Sequence, residues 1–135
     1  LKAYGPTVLR IVLGAIFVMH AYLALFVYTP TGFAAFSGKM GVPLPPVAAW
    51  FTILAHGIGG IMMILGLWSR LAGLANLVVL LGALVFVHLH QGFFIHGVLV
   101  GGQPQGAGYE YVLTLVGATV AAVLSGGGAV PLTHE

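Results

Sequence analysis

Four apolar stretches dominate this chain, and each is bounded by helix-breaking or polar residues. The first runs over about 7–28, after which Thr29, Pro30, Thr31 and Gly32 break it. The second covers about 47–68, the third about 71–90 and the fourth, which is short, about 109–124. Each of the first three approaches the ~20 residues that a helix needs to cross a bilayer. Only Ser69 and Arg70 separate the second stretch from the third, so these two should be antiparallel neighbours. In the connection before the second stretch, Phe33 and Phe36 lie close to Lys39, which predicts an interfacial segment along the headgroups. Pro43, Pro45 and Pro46 stop that segment, and Pro46 also suits the first turn of the next helix. A loop over 91–108 is rich in glycine, and its Phe93–His96 piece suits the interface. The pattern predicts an all-α fold: one integral membrane domain over 1–135, built as a four-helix bundle with antiparallel spans.

Composition sharpens that picture. Of 135 residues, 60% are hydrophobic and only 4% charged, against roughly 25% charged in soluble domains. The natural solvent for such a surface is lipid. A net charge of +2 is far too small for a nucleic-acid partner. With no cysteine, thiol catalysis and cysteine-ligated iron–sulfur clusters are excluded. The chain starts at Leu1, and its first apolar run is too long for a cleavable signal peptide, so it reads as a span. Lys2, Arg10 and Arg70 fall on one side of the membrane and Lys39 on the other, which predicts both termini in the cytoplasm.

Ionisable groups at depth need a reason to be there. His20 lies about eight residues before the end of the first span, and His56 about nine after the start of the second. At ~1.5 Å per residue both sit roughly 12–14 Å below the same membrane face, so they are placed to meet. His88, His90 and Glu110 lie near that face as well. Gly59, Gly60 and Met63 share the helical face of His56, and small residues beside a polar one mark a packed surface. On the third span Asn76, Ala83 and His90 recur at heptad spacing, which favours His90 over His88 for an inward pocket.

Two chemistries suit an imidazole pair at depth. Imidazole ligates metals or haem iron. It also hydrogen-bonds a quinone and relays protons. His20 and His56 are therefore the candidate cofactor and metal ligands, with His90 and Glu110 as lesser cofactor-binding candidates and quinone or haem b as the cofactor. The plainer alternative is a histidine bonded to a neighbouring helix's carbonyl. For Glu110 the alternative is a carboxylate favoured at a helix start. His96 and His134 read as interface and tail residues, and Trp50, Trp68, Tyr109 and Tyr111 as an aromatic belt.

The order of several short pieces resembles the DoxX (DoxX/DoxD-like) family of small four-helix membrane proteins. These pieces are Arg10–Gly14 with His20, Gly38-Lys39 before Gly41-Val42-Pro43, Gly59-Gly60, Leu65-Gly66-Leu67, Ser69-Arg70, Gly92-Phe93-Phe94, Gly108–Tyr111 and the glycines after Ser125. The resemblance implies a multi-pass protein of the prokaryotic inner membrane. It implies an accessory subunit of a membrane oxidoreductase, quinone-linked or respiratory, rather than an enzyme alone. Other membrane subunits or further copies of this chain are the implied partners, besides the lipid bilayer. His56 stands where the family commonly has glutamate, which makes a bis-imidazole site the expectation here. A non-catalytic structural subunit of a larger membrane complex and a small-molecule permeability protein are the other readings.

Overall fold

The computed structural model describes residues 1–95, 99–100, 103–104 and 106–133; His96 and His134 lie outside the described residues. Helix α1 (Tyr4–Tyr22) continues into a π-helical turn over Leu23–Val27. Helix α2 spans Pro30–Lys39 and α3 Pro45–Leu65. Helix α4 (Ser69–Ala83) passes into a second π-helical turn, Leu84–His88, and a 3₁₀ turn, Leu89–Gln91. A minimal antiparallel pair of strands, β1 (Leu99–Val100) and β2 (Gln103–Pro104), precedes α5 (Glu110–Ser125).

Among the described residues, three helical stretches are long and apolar enough to cross a bilayer: Tyr4–Val27, Pro45–Leu65 and Ser69–Gln91. The expected fourth span is the shorter apolar helix α5, whose 16 residues reach about 24 Å at ~1.5 Å each. The second span ends three residues earlier than the apolar run does. Gly66 adopts a left-handed conformation (φ 72°) that closes the helix, with Gly66 N–H donating to Met63 O and Leu67 N–H to Met62 O.

The connecting segment expected to lie along the interface is the regular helix α2. Thr29 accepts a hydrogen bond from Gly32 N–H and Pro30 occupies the first turn, so the residues that break α1 also start α2.

Close packing depends on missing side chains. A Cβ on Gly14 would stand 2.5 Å from Gly60 O, and one on Gly60 would stand 2.9 Å from Gly14 O. Helices α1 and α3 therefore touch backbone to backbone at this point. Leu13, Phe17, Met63, Ala72, Leu80, Val112, Leu115 and Ala122 form the buried core. Outward faces stay apolar, as at Ile11, Ile61, Leu71 and Leu124, which is what lipid contact requires.

Arg10, read from the sequence as a topology signal, is buried inside the bundle. It is only 2% exposed. Its Nε donates to Gly127 O at 2.7 Å, Nη1 to Met63 O and Ile64 O at 3.0 and 2.7 Å, and Nη2 to Ala129 O and Val130 O at 3.2 and 3.0 Å. All five guanidinium hydrogens reach backbone carbonyls. Two of these belong to the last turn of α3, where carbonyls lack helical partners and a cation is favoured. Leu132 N–H and Thr133 N–H reach the next two carbonyls, Leu65 O and Gly66 O. The glycine-rich C-terminal segment thus caps α3, with Arg10 as the link.

Candidate functional site

His56 is brought to an interior position by α3 and is 7% exposed. Its ring stacks on Phe17 with centroids 5.2 Å apart. Its Nδ1 lies 2.6 Å from Oδ1 of Asn76 on α4. Asn76, fully buried, donates both amide hydrogens, one to Ala55 O at 2.8 Å and one to Ala72 O at 2.9 Å. The amide orientation is thereby fixed, and Oδ1 must be the atom facing His56. In the neutral imidazole the Nδ1 therefore carries the hydrogen and donates it, which leaves Nε2 as an acceptor. Gly59 makes room for this arrangement, since a Cβ there would lie 2.8 Å from Asn76 Nδ2.

His20, on α1, meets His56 edge to face. The ring centroids are 6.1 Å apart and the planes 67° apart. His20 Nδ1 stands 2.9 Å from its own helix's Ile16 O, so it too is the protonated nitrogen and Nε2 is free to accept. The Tyr111 ring of α5 approaches His20 with centroids 6.4 Å apart; the sequence placed it only in an aromatic belt.

Both histidines line a cavity of about 930 Å³. Its wall on α1 and the following turn runs from His20 to Tyr28, on α3 from Ala48 to His56, and on α4 and its π-helical turn from Val78 to His88. Helix α2 contributes Phe33 and Phe36. His20 is the first cavity residue on its helix and His56 the last on its own, so the pair marks the inner end. The walls are otherwise almost wholly apolar. Both π-helical turns belong to them, a distortion that often marks functional sites.

The other candidates are placed differently. His90 lies in the exposed 3₁₀ turn and does not line the cavity, whereas His88 does. Glu110 Oε2 accepts from Ile95 N–H at 2.8 Å. Together with the bonds Gly108 N–H to Phe94 O, Tyr109 N–H to Gly92 O and Glu110 N–H to Phe93 O, it fastens the segment after α4 onto the start of α5. Glu110 is not among the residues that line the cavity.

The donor set decides which groups fit. Among the described residues no cluster of three or more metal-ligating side chains forms, and two imidazoles fall short of the three or four protein ligands of zinc sites. Haem does not fit between the pair. The Gly14–Gly60 contact closes one side, and beside the histidines Ala21 Cβ lies 3.5 Å from where a Gly57 Cβ would be. A porphyrin cannot enter between helices that touch there. The adjoining cavity is lined mainly by apolar side chains.

Replacing Asn76 with alanine removes three buried hydrogen bonds and leaves His56 Nδ1 without its acceptor. A loss of about 1–3 kcal/mol is expected. It should appear as a lower thermal midpoint in detergent, and ¹⁵N spectra should show His56 losing its fixed Nδ1–H tautomer.

Three apolar helices of spanning length, a fourth shorter apolar helix and an apolar cavity with an imidazole pair at its inner end define a small helical membrane protein. The DoxX family model matches residues 5–89, more than half the chain, and the chain belongs to the DoxX family. The match covers α1 to the π-helical turn after α4, so it takes in both histidines. Comparison with curated proteins and with solved structures returned no match.

Proposed function

We propose that this chain is a small subunit of a quinone-linked electron-transfer system in the prokaryotic cytoplasmic membrane, and that its cavity takes the headgroup of a membrane quinone. The carrying observation is the His20–His56 pair, 6.1 Å between centroids, at the inner end of an apolar cavity of about 930 Å³. A quinone supplies reversible two-electron, two-proton chemistry when bound. The chain's own part is to seat the ring. His56, locked by Asn76 and stacked on Phe17, keeps its Nε2 free to accept, and His20, its ring centroid 6.1 Å away, keeps a second. An imidazole nitrogen so placed can accept a hydrogen bond from a hydroxyl on the ligand ring. Phe33, Phe36 and Val79 supply apolar surface for an isoprenoid tail. As an accessory subunit the chain would pass electrons to, or receive them from, a partner protein.

The same proposal includes the membrane arrangement. Contacts between Arg10 and Ile64, Gly14 and Gly60, and Ala21 and Gly57 run in opposite chain directions, which supports antiparallel neighbours. Lys2 and Arg70 against Lys39 still favour cytoplasmic termini.

The test is quinone content. Protein purified in mild detergent from its native membrane should carry quinone extractable by organic solvent. The His56→Ala variant, at equal yield and helix content, should lose most of it. Equal quinone in both proteins would remove the proposal.

A further inference from the structure

Among the described residues, every polar side chain on the cavity wall except Tyr28 has its hydrogen committed to the protein itself. His20 Nδ1 donates to Ile16 O at 2.9 Å and His56 Nδ1 to Asn76 Oδ1 at 2.6 Å. His88 Nδ1 stands 2.9 Å from Ala107 O, an atom that only accepts. Thr52 Oγ1 donates to Ala48 O at 2.8 Å and Ser37 Oγ to Phe33 O at 2.9 Å. What these cavity-lining side chains have left to offer is a set of lone pairs: three imidazole Nε2 atoms and two hydroxyl oxygens. Thr52 is one turn before His56 on α3, so its oxygen lies on the same side as the inner pair. Among the described residues no carboxylate lines the cavity, so none of them would offset an imidazolium on its wall, and a charge at this depth is costly.

From this inventory we infer that the site selects the reduced, hydroxyl-bearing form of its ligand, a hydroquinone, over the oxidised quinone. The inference rests on the quinone reading above and adds the redox form. A hydroquinone brings O–H donors to a wall of acceptors, and each finds a partner. A quinone brings two carbonyl oxygens that meet lone pairs and gain no hydrogen bond at the inner end. A site lined for one hydrogen-bonding partner discriminates strongly against an analogue that lacks the matching group. The chain is therefore set to collect hydroquinone from the bilayer and hold it for oxidation by a partner, rather than to capture quinone for reduction.

The experiment compares three probes with the full chain in lipid nanodiscs under anaerobic conditions. They are a decyl-substituted benzohydroquinone, the corresponding quinone, and the hydroquinone's di-O-methyl ether. The expected result is that the hydroquinone binds at least about tenfold tighter than the quinone, with the ether grouped with the quinone. The His20→Gln variant places an amide donor at the inner end and should shrink that preference. Thr52→Val, which deletes one acceptor, should weaken the hydroquinone alone. Equal affinities, or a tighter quinone, would overturn this inference and leave the quinone site standing. Binding of none of the three would overturn both.

Discussion

Arg10→Ala should be among the most damaging single substitutions in this protein. The variant loses five buried hydrogen bonds and strips the cation from the C-terminus of α3. Interhelical hydrogen bonds in membrane proteins average ~0.6 kcal/mol, so five sum to about 3 kcal/mol. The carbonyls of Ile64, Gly127 and Val130 are left without the donor that now serves them, in a setting where water is scarce. A fall in thermal midpoint of roughly 10 °C is expected in detergent. Proteolysis should begin in the C-terminal segment, because Arg10 is what ties Gly127, Ala129 and Val130 to α3. Arg10→Lys keeps the charge but has three donors on one atom instead of five on a planar fork, so it should recover only part of the loss. A variant as stable as the parent would show that the C-terminal segment caps α3 without help from Arg10.

The second large effect is expected at the glycine contact. In Gly14→Ala the new Cβ would meet Gly60 O at 2.5 Å and Ile64 N at 3.0 Å, and both are backbone atoms that cannot turn aside. Relieving the overlap needs a separation of α1 from α3 of roughly 1 Å, since comfortable contacts lie near ~3.5 Å. Overpacking of this kind costs about 1–3 kcal/mol. His20 sits under two turns along α1 from this contact, so the shift should carry its ring away from His56 and lower ligand affinity about tenfold. Gly117→Ala is the control. A Cβ there meets nothing within 4 Å, and both stability and binding should hold. If both alanine variants behave alike, the close approach of α1 and α3 is not what aligns the histidines.

Parts of this account are legible in the sequence because they depend on local physics. Three long apolar runs declare three spanning helices, and counting from their ends already puts His20 and His56 at one depth. Gly66 as the stop of α3 and the Thr29–Pro30 start of α2 are local signals too, although the second reads as a break before it reads as a beginning. Other parts depend on partners far along the chain. Arg10 looks like a topology charge because its acceptors lie 53 to 120 residues away. Asn76 looks like one member of a heptad face, yet its role is to hold His56 across the turn between α3 and α4. The heptad count also points to His90. The π-helical turn over Leu84–His88 changes the winding, so the residue five beyond Ala83 faces the cavity, and that residue is His88. Nothing in hydropathy alone announces a π-helical turn. The cavity itself was not legible, because α2 completes its wall from a segment that reads only as an interfacial connection.

The central claim is that the space beside His20 and His56 holds a quinone headgroup, and photolabelling tests it most directly. A tritiated azidoquinone is activated in membranes containing the native chain, and the labelled residues are mapped. The account predicts adducts within Leu23–Tyr28, Phe33–Ser37 and Phe86–His88, all suppressed by excess unlabelled hydroquinone. Label spread instead over outward-facing residues such as Val8, Ile11 and Ile61, and insensitive to competitor, would contradict it.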